Sequence, residues 1–180
     1  IACIERAQAI ADDAFRLLVD TIRLGAREID LALELEFTMR KMGSEGVAFP
    51  IIAVAGTRSS LPHGVPTENV LSDGDFITFD FGGKYQGYCS DETRTLIAGH
   101  VDERHREIYN VVLEAQMAGL EAVKPGVMGK EVDAAGRKVI EDARYGQYFG
   151  HGIGHGVGLA VHEGPSAGKK SETVLQPGMI

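Results

Sequence analysis

The sequence predicts an α+β domain made of two half-domains, each running helix, helix, strands. Three observations predict it. Apolar residues recur at helical spacing in four stretches, short alternating or β-branched runs lie between the second and third of them, and the chain carries a faint internal repeat. In that repeat Gly25-Ala-Arg-Glu28-Ile29-Asp30 resembles Gly126-Val-Met-Gly-Lys-Glu131-Val132-Asp133, and Leu71-Ser-Asp-Gly74-Asp-Phe resembles Leu175-Gln-Pro-Gly178-Met-Ile. Two such halves give a pseudo-symmetric domain with a shared cleft. Chance similarity over such short stretches is the competing reading.

The first helix is expected from Ile4 to about Leu24, with Ala7, Ile10, Ala14, Leu17, Leu18 and Ile22 in periodic positions and Gly25 breaking the pattern. The second runs from about Arg27 to Met42, with Ile29, Leu33 and Phe37 on one face and Gly43 as a stop signal. Phe49-Pro-Ile-Ile-Ala-Val-Ala reads as a strand, Arg58 to Gly74 as a loop punctuated by Pro62, Gly64 and Pro66, and Asp75 to Phe81 as an alternating strand. Gly87 to Ala98 is a weaker strand. Asp102 to Val123 is the third helix, with Ile108, Val111, Val112, Ala115 and Ala122 toward a core, ended by Pro125-Gly126; a fourth follows from about Lys130 to Arg144. The remainder, Tyr148 to Ile180, reads as glycine- and histidine-rich loop and strand.

Composition bounds the function. Lys+Arg 18 against Asp+Glu 26 gives a net charge of −8 over 180 residues. An acidic chain without a basic stretch is a poor partner for nucleic acid. No apolar run approaches the roughly 20 residues that span a bilayer, so no membrane partner is expected. Nothing at Ile1 reads as a signal peptide, and Cys3 and Cys89 make no disulfide framework, so the expected compartment is the cytoplasm.

Chemistry concentrates in three places. A hairpin folded around Gly82-Gly83 and Gly87, in the register that sets 82 against 89, places Asp80 directly opposite Asp91. Opposed side chains share a face with Cβ atoms roughly 5 Å apart. Two like charges there need a shared proton or a cation, and hard carboxylate oxygens suit a divalent metal. The alternative is two solvent-facing aspartates, since a one-residue register change separates the pair. The second place is His151-Gly-Ile-Gly-His155-Gly-Val-Gly-Leu-Ala-Val-His162-Glu163, where dense imidazoles offer metal ligands or proton carriers and the glycines permit close backbone approach. Strand parity puts 151 and 155 on one face and 162 on the other, but does not say which histidine binds metal. The third is His63, in a loop bracketed by Pro62 and Pro66, suited to substrate contact or simply exposed. His100 and His105 read as solvated surface, Cys89 as a small buried side chain, and Glu114 and Glu131 as solvated helix charge.

Taken together, Asp80-Phe-Gly-Gly, Asp91-Glu-Thr-Arg-Thr, Leu-Pro-His63-Gly-Val and the His151 to Glu163 run resemble the pita-bread metallopeptidases, in particular the Xaa-Pro branch of prolidases and aminopeptidases P. The resemblance runs from about Ile4 to Ile180, with the motifs in matching order and spacing. It implies a curved antiparallel sheet covered by helices. It further implies that Asp80 binds one metal, Asp91 bridges both, and His155 binds the other. His63 and His162 would contact the scissile carbonyl as catalytic, substrate-binding residues. His151 would line the same pocket, and Thr93 would support the metal shell by hydrogen bonding.

The implied cofactors are two divalent ions, manganese first, with cobalt, iron or zinc as alternatives. Ions roughly 3.5–4 Å apart acidify a bridging water, and the resulting hydroxide attacks a peptide bond whose nitrogen belongs to proline. The substrate partner is thus a proline-containing peptide, dipeptide or longer. Methionine aminopeptidase, or a non-catalytic peptide-binding module on the same fold, are the other readings. The family's last two ligands are glutamates after a Pro-Gly-Met-like turn. The repeat puts a counterpart of Asp80 about four residues beyond Ile180. Residues 1–180 are therefore expected to be part of a catalytic domain, without an N-terminal companion or the final strands, weakly active alone, and a homodimer at full length.

Overall fold

A computed structural model describes residues 1–180 and divides them into two compact units, Ile1–Asp102 with Gly158–Val161, and Glu103–Val157 with His162–Ile180. In the first unit α1 (Ala2–Val19) and α2 (Glu28–Lys41) pack with a three-stranded antiparallel sheet of order β1 (Ile52–Ala55), β2 (Phe76–Phe81), β5 (Glu92–Ile97). The hairpin β3 (Lys84–Tyr85) and β4 (Tyr88–Cys89) lies between β2 and β5 in sequence. The four helices and the main strands fall where hydrophobic periodicity predicts them, with α1 ending five residues earlier than expected.

On α1, Ala7, Ile10, Ala14 and Leu18 repeat at i, i+3, i+4 spacing and are buried. Phe15 joins them, 5.3 Å from Phe79 edge-on and 5.2 Å from Phe81 in a stack. Strand β2 alternates strictly: Ile77, Phe79 and Phe81 are buried in this core, while Phe76, Thr78 and Asp80 face the other way. The expected face of α2 is corrected. Leu31, Leu35 and Met39 are buried, whereas Leu33 and Phe37 are 58% and 61% exposed. The helix carries two apolar stripes, and burial follows the one, Leu31-Leu35-Met39, that joins the core cluster of Ala53, Ile77 and Phe79.

The hairpin register also differs from expectation. The turn residues are Gln86 and Gly87, both with positive φ (49° and 78°), as a two-residue hairpin turn matching strand twist requires. Lys84 therefore pairs with Cys89, Phe81 with Glu92, and Asp80 with Thr93 rather than with Asp91. Gly82 leaves no room for a side chain. A Cβ there would lie 1.9 Å from the Ser90 carbonyl oxygen. Next to it the Gly83 amide donates to Ser90 Oγ at 3.0 Å, and the Ser90 amide to the Gly83 carbonyl at 2.9 Å.

The second unit contains α3 (Glu103–Ala122), α4 (Gly129–Asp142), β6 (Gly154–Gly156) and β7 (Glu163–Ala167), the last two pairing antiparallel. Only Ala115 and Gly119 of α3 are buried, and Val112, expected toward a core, is 57% exposed. The faint repeat is a genuine structural duplication. Gly25 N donates to Leu71 O and Gly126 N to Leu175 O, both at 2.8 Å; Leu71 N returns to Ala26 O at 2.9 Å and Leu175 N to Val127 O at 2.8 Å. Both glycines have left-handed φ, and α2 and α4 each have 14 residues. The bonds also refine the alignment: Glu28 N bonds Asn69 O as Gly129 N bonds Thr173 O, so Gly129, not Glu131, is the counterpart of Glu28. Glu131 is more than solvated charge, since it accepts the Met128 amide at 2.8 Å at the start of α4.

Two predictions follow from the first unit's packing. Gly82→Ala drives a methyl group into the Ser90 carbonyl, and strand separation is expected to destabilise the protein by about 2 kcal/mol or more in urea unfolding. Glu92, opposite Phe81, is turned to the core side, and burial pushes its carboxyl up to about 7; Arg94 offsets part of that rise and Asp12 adds to it. A pKa higher folded than unfolded gives stability that is full below about 4.5 and lost as pH rises through 7. With a chelator present, Glu92→Gln should therefore gain about 1–2 kcal/mol on the wild type between pH 5 and pH 8, allowing for partial solvent access. An equal difference at both pH values would refute the assignment.

Candidate metal centre

Alternation along β2 turns Asp80 away from the Phe79 and Phe81 core, half-buried on the opposite face. Its cross-strand neighbour Thr93 donates from Oγ1 to Asp80 Oδ1 at 2.8 Å. Asp91 lies two residues before Thr93. Ser90 and Glu92 are buried and Asp91 and Thr93 are not, so Asp91 emerges on the same face as Asp80. The register shift from the expected one is two residues, which preserves parity. The carboxylates are diagonal neighbours, a relation that spans about 7–8 Å between Cα atoms, still within reach of a shared ion.

His63 is exposed in the loop between the 3-10 turn Gly56–Ser60 and β2. Below this loop lies a group the sequence reading missed. Glu28, 1% exposed, accepts the Ala55 amide (2.9 Å), the Thr67 amide (3.0 Å) and hydroxyl (2.9 Å) and Asn69 Nδ2 (2.9 Å), and pairs with Arg58 at 3.2 Å. Burial alone would raise this carboxyl, but those hydrogen bonds outweigh it and hold it below the usual range. An acid at the first position of a helix reads as an ordinary dipole partner; the repeat, with Gly129 in its place, was the available signal.

In the second unit His155 sits on β6, paired with Ser166, and its Nδ1 meets the Gly156 carbonyl at 2.9 Å. A carbonyl only accepts, so Nδ1 is the donor in this contact, and in the neutral ring that arrangement makes Nε2 the nitrogen suited to ligate metal. A register shift after His155 lets the chain return so that the His162 ring lies 4.3 Å from that of His155, a proximity strand parity could not foresee. His151 precedes β6. Its Nδ1 meets the Gly152 carbonyl at 2.8 Å and its ring is edge-on to Phe149 at 4.8 Å. The segment is held by Arg137, which forks onto Asp133 (2.7 and 2.9 Å) and donates to the Phe149 and His151 carbonyls at 2.9 and 2.6 Å.

Two carboxylates on one face and an imidazole with Nε2 as acceptor are oxygen and nitrogen donors that fit a divalent transition metal. No three His, Cys, Asp or Glu side chains are gathered as a metal-holding group within the chain. Cys89 is buried, as expected, and its thiol meets the Leu159 carbonyl at 3.6 Å.

The sequence profile of metallopeptidase family M24 matches residues 2–180. The chain is 44% identical over its whole length to an Xaa-Pro dipeptidase of Pyrococcus horikoshii, covering 51% of that protein. Among solved structures it resembles an Xaa-Pro dipeptidase from Bacillus anthracis (TM-score 0.97, 50% identity, 99% of this chain and 50% of that one). It also resembles an X-Pro aminopeptidase from Thermotoga maritima (TM-score 0.95, 44% identity, 98% and 50%). The chain thus spans about half the length of the curated relatives it matches, and its fold is the α+β pita-bread fold of the prolidases. By this match the chain belongs to metallopeptidase family M24.

Proposed function

We propose that the protein is a dinuclear metal-dependent exopeptidase cleaving Xaa-Pro bonds. The observation that carries this reading is the pair Asp80 and Asp91 on one face of the β2–β5 ladder, with Thr93 bonded to Asp80, in a chain whose similar proteins include Xaa-Pro dipeptidases and an X-Pro aminopeptidase. Asp80 and His155 would each hold one ion, and Asp91 would serve both. Thr93, donating to Oδ1, would restrain the rotation of the Asp80 carboxylate. When bound, manganese or a related divalent ion supplies an acidified water and a Lewis-acid pull on the scissile carbonyl.

The remaining roles belong to the imidazoles. His63 and His162 donate to the carbonyl oxygen as it gains negative charge, which stabilises the transition state more than the ground state. His151 lines the pocket for the proline-containing peptide. The protein is proposed to act in the cytoplasm as a homodimer, and this chain alone to turn over weakly.

Calorimetric titration of manganese into the whole protein tests the ligand set. Asp80→Asn and Asp91→Asn should each weaken uptake at least a hundredfold, and Thr93→Val about ten- to a hundredfold. No uptake by the wild type would instead favour a metal-free peptide-binding module. Hydrolysis of a Met-Ala-Ser peptide with none of an Xaa-Pro dipeptide would turn the reading to methionine aminopeptidase.

A further inference from the structure

We infer that Glu28 is a positioning residue for His63, its buried carboxylate fastening both ends of the Ala55–Asn69 segment to the start of α2. The inference rests on the proposed contact between His63 and substrate. Hydrophobic packing does little for this loop: Leu61 is 48% and Val65 72% exposed. What closes it is polar. Ala55 precedes the loop, Thr67 and Asn69 follow it, and all three donate to the one carboxylate. Arg58 adds a cross-strut, with Nε on Glu28 and Nη2 on the Val65 carbonyl at 2.7 Å, two residues from His63.

The helix itself does not need this acid. In the duplicated half the counterpart is Gly129, and α4 begins in the same way, with Met128 at φ −82°, ψ 149° against Arg27 at φ −83°, ψ 142°. Glu28 makes no cap hydrogen bond to α2, and where α4 is capped the acid is Glu131 on the Met128 amide, so the fivefold engagement of Glu28 serves the loop. An ionised, desolvated acceptor also fixes geometry tightly, because any loop displacement leaves buried charge without donors. Pro62 and Pro66 stiffen the stretch between the anchors, so fastening the ends sets the position of the imidazole.

Hydrogen exchange and kinetics test the inference together. In Glu28→Gln, amides of residues 57–66 should exchange at least tenfold faster while those of β2 keep their wild-type protection. Unchanged loop exchange, or equal acceleration in β2, would overturn it. In the metal-loaded whole protein Glu28→Gln should lower kcat for an Xaa-Pro dipeptide about tenfold with little change in KM, and less than twofold further in a His63→Ala background. Additive losses would mark Glu28 as merely structural and also overturn the inference. Asn69→Ala, which removes one donor and leaves the charge, should show the same pattern more weakly and serves if Glu28→Gln fails to fold. A silent His63→Ala would sink the substrate-contact reading and the inference with it, and is told apart from failed anchoring by the exchange data.

Discussion

In an antiparallel ladder the side-chain period is two, so the residues that must enter the core decide which residues leave it. Here Phe79 and Phe81 are locked against Phe15, and that packing alone turns Asp80 outward. The partner strand obeys the same rule through Glu92, whose burial opposite Phe81 sends Asp91 and Thr93 to the Asp80 side. The carboxylate pair is thus a by-product of core packing, held in register by the Gln86-Gly87 turn and the Gly83–Ser90 hydrogen bonds. Any change that frees the ladder to slip by one residue would exchange the core and the site together.

The histidine-bearing segments obey a different constraint. They are irregular backbone with few apolar anchors, and in both units a buried charge organises them: Glu28 beneath the His63 loop, and the Asp133–Arg137 fork behind Phe149 and His151. Such groups stabilise little on average, because desolvation offsets the attraction. Their value lies in direction. A charge surrounded by donors or acceptors at fixed places tolerates one arrangement of the chain, which suits segments proposed to present an imidazole to substrate.

Much of this was legible in the sequence, and the misses share a cause. Four helices, the β2 alternation and the repeat at Gly25 and Gly126 follow from local periodicity and turn chemistry, which one chain segment reveals by itself. The buried face of α2 did not, because Leu31-Leu35-Met39 and Leu33-Phe37 are both apolar stripes and only the sheet chooses between them. The hairpin register was misjudged by two residues, since pairing 82 with 89 centres the turn between Tyr85 and Gln86, whereas it forms at Gln86-Gly87, where both residues take positive φ. Glu28 and Arg137 escaped notice because their partners lie up to 41 and 14 residues away. The proximity of His155 and His162 depends on a register shift that alternation cannot encode.

The adjacent acids Asp91 and Glu92 show how far backbone geometry controls chemistry. Side by side in sequence, they differ by one step of the pleat. Asp91 lies on the Asp80 face, the face of the proposed cation site. Glu92 lies under the core beside Arg94 and Asp12, where burial favours its neutral form. A third carboxylate on the Asp80 face would add charge for a cation to neutralise and compete with Asp91 for it. Folding Glu92 into the core removes that competitor, and Arg94, reaching Asp12 at 3.0 Å, compensates the charge there. The same alternation that exposes two acids thus withholds the third, which makes the sheet, rather than the count of acids in the motif, the selector of which carboxylates lie on the face of the proposed metal site.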